Sequence, residues 1–156
     1  MEKNKIMNIL KIYKTKNVKT PERCGRNAGF DFFVPNVFKN VTLLPGERAI
    51  IPSGIKVRIP EDHTLIAFNK SSIATKEGLQ VGACVIDENY TGEISLDVFN
   101  TGYNNEVTIN PGMKLVQFVL IPVLYANIKE YTDETQMYKN FDIKERGENG
   151  FGSTGK

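Results

Sequence analysis

Short β-prone runs, cut at close intervals by glycine and proline, constrain this chain more than any other feature. Pro45-Gly46 and Pro111-Gly112 are turn dipeptides. In each, proline presets φ and glycine accepts a positive φ. Between such breaks lie runs at residues 7–13, 30–34, 48–51, 55–59, 64–68, 83–86, 94–99, 107–109 and 115–123. Strands this short and this evenly spaced predict an all-β fold, a barrel or sandwich. Only residues 71–76 read as helical, for one or two turns. No internal repeat or interior linker is visible.

A chain of 156 residues, 40% apolar and 24% charged, can bury a core of its own and fits one domain. It needs no staples and has few candidates for them. Cys24 and Cys84 form no Cys-x-x-Cys pair, and His63 is the one histidine. A structural zinc site and a secreted disulfide framework are therefore not expected. The first residues carry Lys and Asn among their apolar positions, which does not suit a signal peptide. No run is long enough to span a bilayer as a helix. The expectation is a soluble, cytoplasmic protein without a membrane partner. A net charge of +2 gives no basic stripe for nucleic acid. Lys11, Lys14, Lys16 and Lys19 read as a solvated face.

The C-terminal end has a different composition. Beyond Phe141 only Ile143 and Phe151 offer large apolar surface, and Gly147, Gly150, Gly152 and Gly155 loosen the backbone. Such a segment cannot offset the entropy of ordering by itself. Residues 1–140 are therefore expected to form the domain and 141–156 a flexible arm. The plain reading of the arm is a frayed tail. The sharper one is a segment that orders over a ligand. Gly150 to Lys156 fits Gly-x-x-x-x-Gly-Lys but has no Ser/Thr and no helix after it, so a Walker loop is rejected. What remains is backbone N–H groups, Ser153, Thr154 and Arg146 for phosphate, and Phe151 for stacking on a base.

Two further segments carry chemistry. Gly82 to Ile94 reads as a hairpin, with β-prone arms around the turn formers Asp87 to Gly92. Asp87, Glu88 and Glu93 crowd its tip. Asp87 directly follows Val85-Ile86, which allows it to sit at the edge of a pocket. In Phe68 to Gly78 a strand runs into Ser71 and Ser72, an N-cap pattern that also suits an anion, with Lys70 beside it.

Together these segments resemble the trimeric dUTPase family. Its five motifs are matched in order by Ala28-Gly29-Phe30-Asp31-Phe32, by Lys70-Ser71-Ser72-Ile73-Ala74, by Gly82 through Ile94, by Pro111-Gly112-Met113-Lys114-Leu115-Val116-Gln117, and by Arg146 through Gly155. The resemblance covers residues 28 to 155. It implies a distorted jelly-roll, barrel-like subunit and a homotrimer with shared active sites. One subunit would supply motifs one, two and four, a second motif three, and the third its tail. It further implies hydrolysis of dUTP to dUMP and pyrophosphate, which keeps uracil out of DNA and supplies dUMP for thymidylate synthesis. Asp87 would activate the water that attacks the α-phosphorus, positioned as much as basic. Tyr90 would stack on the deoxyribose and exclude a 2′-hydroxyl. The main chain at Cys84 and Ser95 would read the uracil edge, and Phe151 would stack on uracil. Ser71, Ser72, Gln117, Arg146, Gly152, Ser153 and Thr154 would meet the phosphates. Mg²⁺ would ride on the phosphates and water, with Asp31 acting through that water.

The sequence departs from the family pattern at Lys70 (usually Arg), Ser72 and Cys84 (often Gly) and Met113 (often Asp or Glu). Lys70 lacks the bidentate fork of Arg, so its phosphate contact should be looser. Two rival functions share parts of the pattern. A dCTP deaminase has the same fold but needs a Glu placed to attack the cytosine ring. A non-catalytic module would use dUTP as a switch.

Overall fold

The computed structural model describes residues 9–140. Contacts divide the chain into two compact units, Met1–Leu124 and Tyr125–Lys156. In the first unit the described strands are β1 (Lys11–Lys14), β2 (Gly29–Phe33), β3 (Val41–Leu43), β4 (Arg48–Pro52), β5 (Ile55–Arg58), β6 (His63–Asn69), β7 (Leu79–Val81), β8 (Val85–Ile86), β9 (Ser95–Asn100), β10 (Val107–Ile109) and β11 (Lys114–Pro122). A single π-helical turn, Ile73–Glu77, joins β6 to β7. The strands form antiparallel sheets in the orders β2-β11-β6-β8, β4-β9-β7, β1-β5 and β10-β3. The fold is all-β, of the distorted jelly-roll kind.

Alternation explains the core. In β5 Ile55 and Val57 point in while Lys56 and Arg58 face water, and β10 buries Val107 and Ile109 around exposed Thr108. The long strand β11 is hydrogen-bonded on both sides, to β2 and to β6, and its inward residues Val116 and Phe118 are fully buried. Phe118 packs on Phe32 with ring centroids 4.5 Å apart and planes tilted by 52°. That geometry suits aromatic quadrupoles and adds to the area term. A bulge between Lys114 and Val116 shifts the register with β2 just where the fourth motif lies.

Both proline–glycine turns form as read. Glu47 N–H donates to Leu44 O at 3.0 Å and Met113 N–H to Asn110 O at 3.2 Å. Gly46 and Gly112 take φ of 83° and 75°, the conformation that needs glycine at this turn position.

Three sequence readings are corrected. First, Gly82 to Ile94 is not a hydrogen-bonded hairpin: β8 pairs with β6, and β9 pairs with β4 and β7 in another sheet. Second, Ser72 does not cap the helical turn. Its own backbone is helical (φ −65°, ψ −35°), and its side chain makes no cap bond. Third, β3 and β7 were not anticipated. Each has three residues of which only one is buried, so neither writes an apolar pattern into the sequence. Most of the first run also lies outside its strand: β1 starts at Lys11, and Met7 and Asn8 lie outside the described residues.

In the second unit a one-turn helix, α1 (Glu134–Met137), is capped by Asp133, whose carboxylate accepts from the Thr135 N–H at 2.9 Å and hydroxyl at 2.7 Å. Among the described residues no helix is long and apolar enough to cross a membrane.

Candidate active site

The first half of the site is a fork in the chain. Strand β7 runs beside β9, with Val81 opposite Val98. At Gly82 and Ala83 the chain leaves β9, and two residues later it pairs with β6, placing Ile86 opposite Leu65. The opening of this fork is a cleft of about 280 Å³. Ala83, Val85, Ile86, Asp87 and Tyr90 line one wall, Ile94, Ser95 and Asp97 the other, and Arg48 and Ile50 come from β4. The lining is mainly apolar with a few polar groups, as small-molecule sites are.

The acidic residues near the tip have different fates. Glu88 accepts the Asp62 N–H at 2.9 Å. Glu93 faces away and ties down the segment before β2, accepting from Thr15 Oγ1 (2.8 Å), Lys16 Nζ (2.9 Å) and Gly54 N–H (2.9 Å). Burial alone would raise its pKa; these three donors outweigh it and hold the carboxyl below the usual range. The Asp87 carboxylate is exposed at the cleft and receives no hydrogen bond from the described residues, while its backbone carbonyl accepts the Tyr90 N–H at 3.0 Å. The open carboxylate is thus part of the cleft lining.

Tyr90 folds back over the turn, its hydroxyl donating to Glu93 O at 3.0 Å. A Cβ on Gly92 would overlap the Tyr90 ring and hydroxyl. The Tyr-x-Gly pattern therefore has a steric cause: only glycine leaves room for the ring. Ser95 lines the cleft. Cys84 does not: it packs against the core, and its carbonyl accepts the Ala67 N–H at 2.7 Å. A side chain replacing glycine there is accommodated because it turns inward.

The second half collects at the other end of β6. Register puts Gln117 of β11 between Asp31 of β2 and Phe68 of β6. Gln117 Nε2 donates to Asn69 O at 2.8 Å, and its side chain covers Gly29, where a Cβ would come within 2.6 Å of Oε1. Lys70 Nζ donates to both carboxylate oxygens of Asp31, at 3.2 and 3.3 Å. Lys114 Nζ lies 2.6 Å from Glu22 and 3.5 Å from Asp31. The hydrogen bonds from Lys114, then Lys19, hold the Glu22 carboxyl at about 2, and Glu22 in turn raises Lys114. Ser71 and Ser72 are exposed beside this network. The structure thus brings Asp31, Lys70, Ser71, Ser72 and Gln117 together, and Asp87, Tyr90 and Ser95 together. It separates the two sets by the length of β6: from Leu65 to Lys70 is roughly 16 Å at about 3.3 Å per residue. Arg146, Phe151, Gly152, Ser153 and Thr154 lie outside the described residues.

Sequence reading missed Arg48, Asp97, Lys114 and Glu22. Asp97 left one local signal, a charge inside the run Leu96-Asp97-Val98, but its partner is 49 positions away. No group of three or more His, Cys, Asp or Glu among the described residues could hold a metal.

The dUTPase family model matches residues 16–155. The chain belongs to the dUTPase family. As a dUTPase it is an enzyme, a nucleotide hydrolase. It is 37% identical over 131 residues to a deoxyuridine 5′-triphosphate nucleotidohydrolase of Clostridium novyi, covering 83% of this chain and 84% of the relative. Identity to that of Chlamydia pneumoniae is 39% over 124 residues, covering 77% and 79%. Among solved structures, the dUTPase of Staphylococcus bacteriophage 80alpha with dUpNHpp superposes with a TM-score of 0.80 at 25% identity, over 96% of this chain and 99% of that one. A variant dUTPase from phage phi11 of S. aureus, which coordinates a structural Mg(II) ion, gives 0.72 at 25% identity, over 82% and 99%.

Proposed function

We propose that this dUTPase cleaves dUTP to dUMP and pyrophosphate by in-line attack of a water activated by Asp87 on the α-phosphorus. The observation that carries this reading is the Asp87 carboxylate, which lines the cleft and has no partner among the described residues, while Glu88, Glu93 and Asp97 are engaged within the protein. A carboxylate is a weak base at neutral pH, so its contribution comes largely from holding the water in line. Tyr90 would pack on the deoxyribose, and the main chain around Cys84 and Ser95 would meet the uracil edge. Cytosine presents a donor where uracil presents an acceptor, and the unpaired groups would cost affinity.

Lys70, Ser71, Ser72 and Gln117 would bind phosphate oxygens, joined by Arg146, Gly152, Ser153 and Thr154 of the arm, with Phe151 on the base. The attacking water and the phosphate donors must meet along one bound triphosphate, yet Asp87 and Lys70 stand at opposite ends of β6 within one copy. This favours a homotrimer in which one copy's Asp87 faces another's Lys70 and Gln117, with the arm 141–156 of a third closing over both. Mg²⁺ suits the phosphate end, because a hard ion that keeps its water needs no protein cage. Asp31 fits an outer-sphere role there, a carboxylate already flanked by Lys70 and Lys114. When bound, the ion supplies charge neutralisation on the phosphates.

The test is product analysis with dUTP, dCTP and UTP in Mg²⁺. The expected result is dUMP and pyrophosphate from dUTP alone. Ammonia and dUTP formed from dCTP would make the chain a deaminase instead, and no turnover would leave a binding module.

A further inference from the structure

We infer that Asp97 is a positioning residue that sets the gap between the two walls of the cleft and thereby the fit of the nucleotide base. The inference rests on the reading that the base enters this cleft. Asp97 sits in the crotch of the fork. Its side chain is 3% exposed, yet it carries a carboxylate. Three donors satisfy it: Arg48 Nε at 2.7 Å, Arg48 Nη2 at 2.5 Å and the Ala83 N–H at 2.6 Å. Its backbone carbonyl also accepts the Gly82 N–H at 3.0 Å.

The position explains the chemistry. Ala83 is the residue at which the chain abandons β9 and has not yet joined β6. Its N–H has lost its ladder partner and is met instead by a side chain. Asp97 meets it and so fixes the angle at which residues 83–87 depart. Gly82 is part of the same joint, since a Cβ there would come within 2.7 Å of the Asp97 carboxyl carbon. Arg48 completes it. Its planar fork grips both carboxylate oxygens from β4 and neutralises them, while half of its side chain remains exposed in the cleft. Strands β4 and β9 and the chain between β7 and β8 are thus indexed to one carboxylate. The hydrogen bond from Arg48 is also the main reason its pKa lies below the usual range.

The roles separate by kinetics. Asp97→Asn keeps the volume but loses the charge and one acceptor, and Arg48→Lys keeps the charge but loses the fork. Each is expected to raise KM for dUTP about tenfold and to cut the dUTP-over-dCTP ratio of kcat/KM by a similar factor, with kcat within about twofold. Because a broken buried pair can unfold a protein, Arg48→Met with Asp97→Leu serves as an apolar replacement of similar shape. It should fold and show the same loss of fit. A merely structural role would lower Tm and leave KM and the ratio unmoved in whichever variants fold; that result overturns the inference. Tyr90→Ala distinguishes this failure from that of the underlying reading. If Tyr90→Ala raises KM while the pair variants do not, only the role of Asp97 is wrong. If Tyr90→Ala leaves KM alone, the nucleoside does not enter this cleft and both ideas fall.

Discussion

The cleft and the Lys70 network handle charge in opposite ways. In the cleft one carboxylate, Asp97, is buried and locked by Arg48, while Asp87 receives no hydrogen bond from the described residues. In the Lys70 network Asp31 and Glu22 are both paired with lysines near the surface, and neither carboxylate is locked away. The difference separates shape from exchange. A buried, forked pair is expensive to break and serves as a fixed strut. Exposed Lys–Asp pairs are worth little and are readily traded for a phosphate that offers more charge. The cleft is therefore built to keep a geometry, and the Lys70 network, under the proposed function, to give up its internal pairs to phosphate.

The comparison breaks most visibly at Asp87. Asp87→Asn should cut kcat by about 10²- to 10⁴-fold, the usual worth of a positioned base, with Kd for dUpNHpp changed little. Near-normal turnover in that variant would remove Asp87 from the mechanism. Next in size is the fixed geometry. Gly92→Ala displaces the exposed Tyr90 ring from its place over the turn. It should appear as a raised KM for dUTP in steady-state kinetics; an unaltered KM would mean that the ring position does not matter to binding.

A smaller effect is expected in the exchangeable network. Lys70→Ala should weaken binding of tripolyphosphate by up to about tenfold, and the deficit should shrink at about 1 M salt, where the Debye length is near 3 Å. A deficit indifferent to salt would make Lys70 a fixed element like Asp97. The smallest effect concerns pH. The folded-state pKa of Glu22 is depressed from 4.5 to about 2, so its pairing with Lys114 and Lys19 stabilises above 4.5 and is lost as pH falls toward 2. Asp97 shifts in the same direction through Arg48. Thermal melts across that range should show the Glu22→Gln difference vanish in high salt, and the Asp97→Asn difference persist. If both vanish together, the two regions do not differ in kind.

Much of this was readable locally. Proline beside glycine at 45–46 and 111–112 placed two turns, because the φ demands of those residues act within four positions. The runs that became β2, β4, β6, β9 and β11 were legible because burial on one face writes itself as alternation or as an apolar run. Asp87 and Tyr90 were found through their motif, and the cleft contains both. The supposed hairpin was misread for the converse reason. Two β-prone arms around a turn look alike whether they pair with each other or with strands far off in sequence, and β6 and β4 took them.

The sequence by itself determined where the chain turns, which segments extend, and which family its motifs match, since each depends on residues near one another. Only the tertiary structure decided which carboxylate stays open. Asp87, Glu88, Glu93 and Asp97 lie within eleven consecutive positions and look interchangeable there. Donors to the last three, Asp62, Thr15, Lys16, Gly54, Ala83 and Arg48, stand 14 to 78 positions away. Folding brings those donors to three of the four, and electrostatic pairing at hydrogen-bond distance is a property of space that no local pattern records.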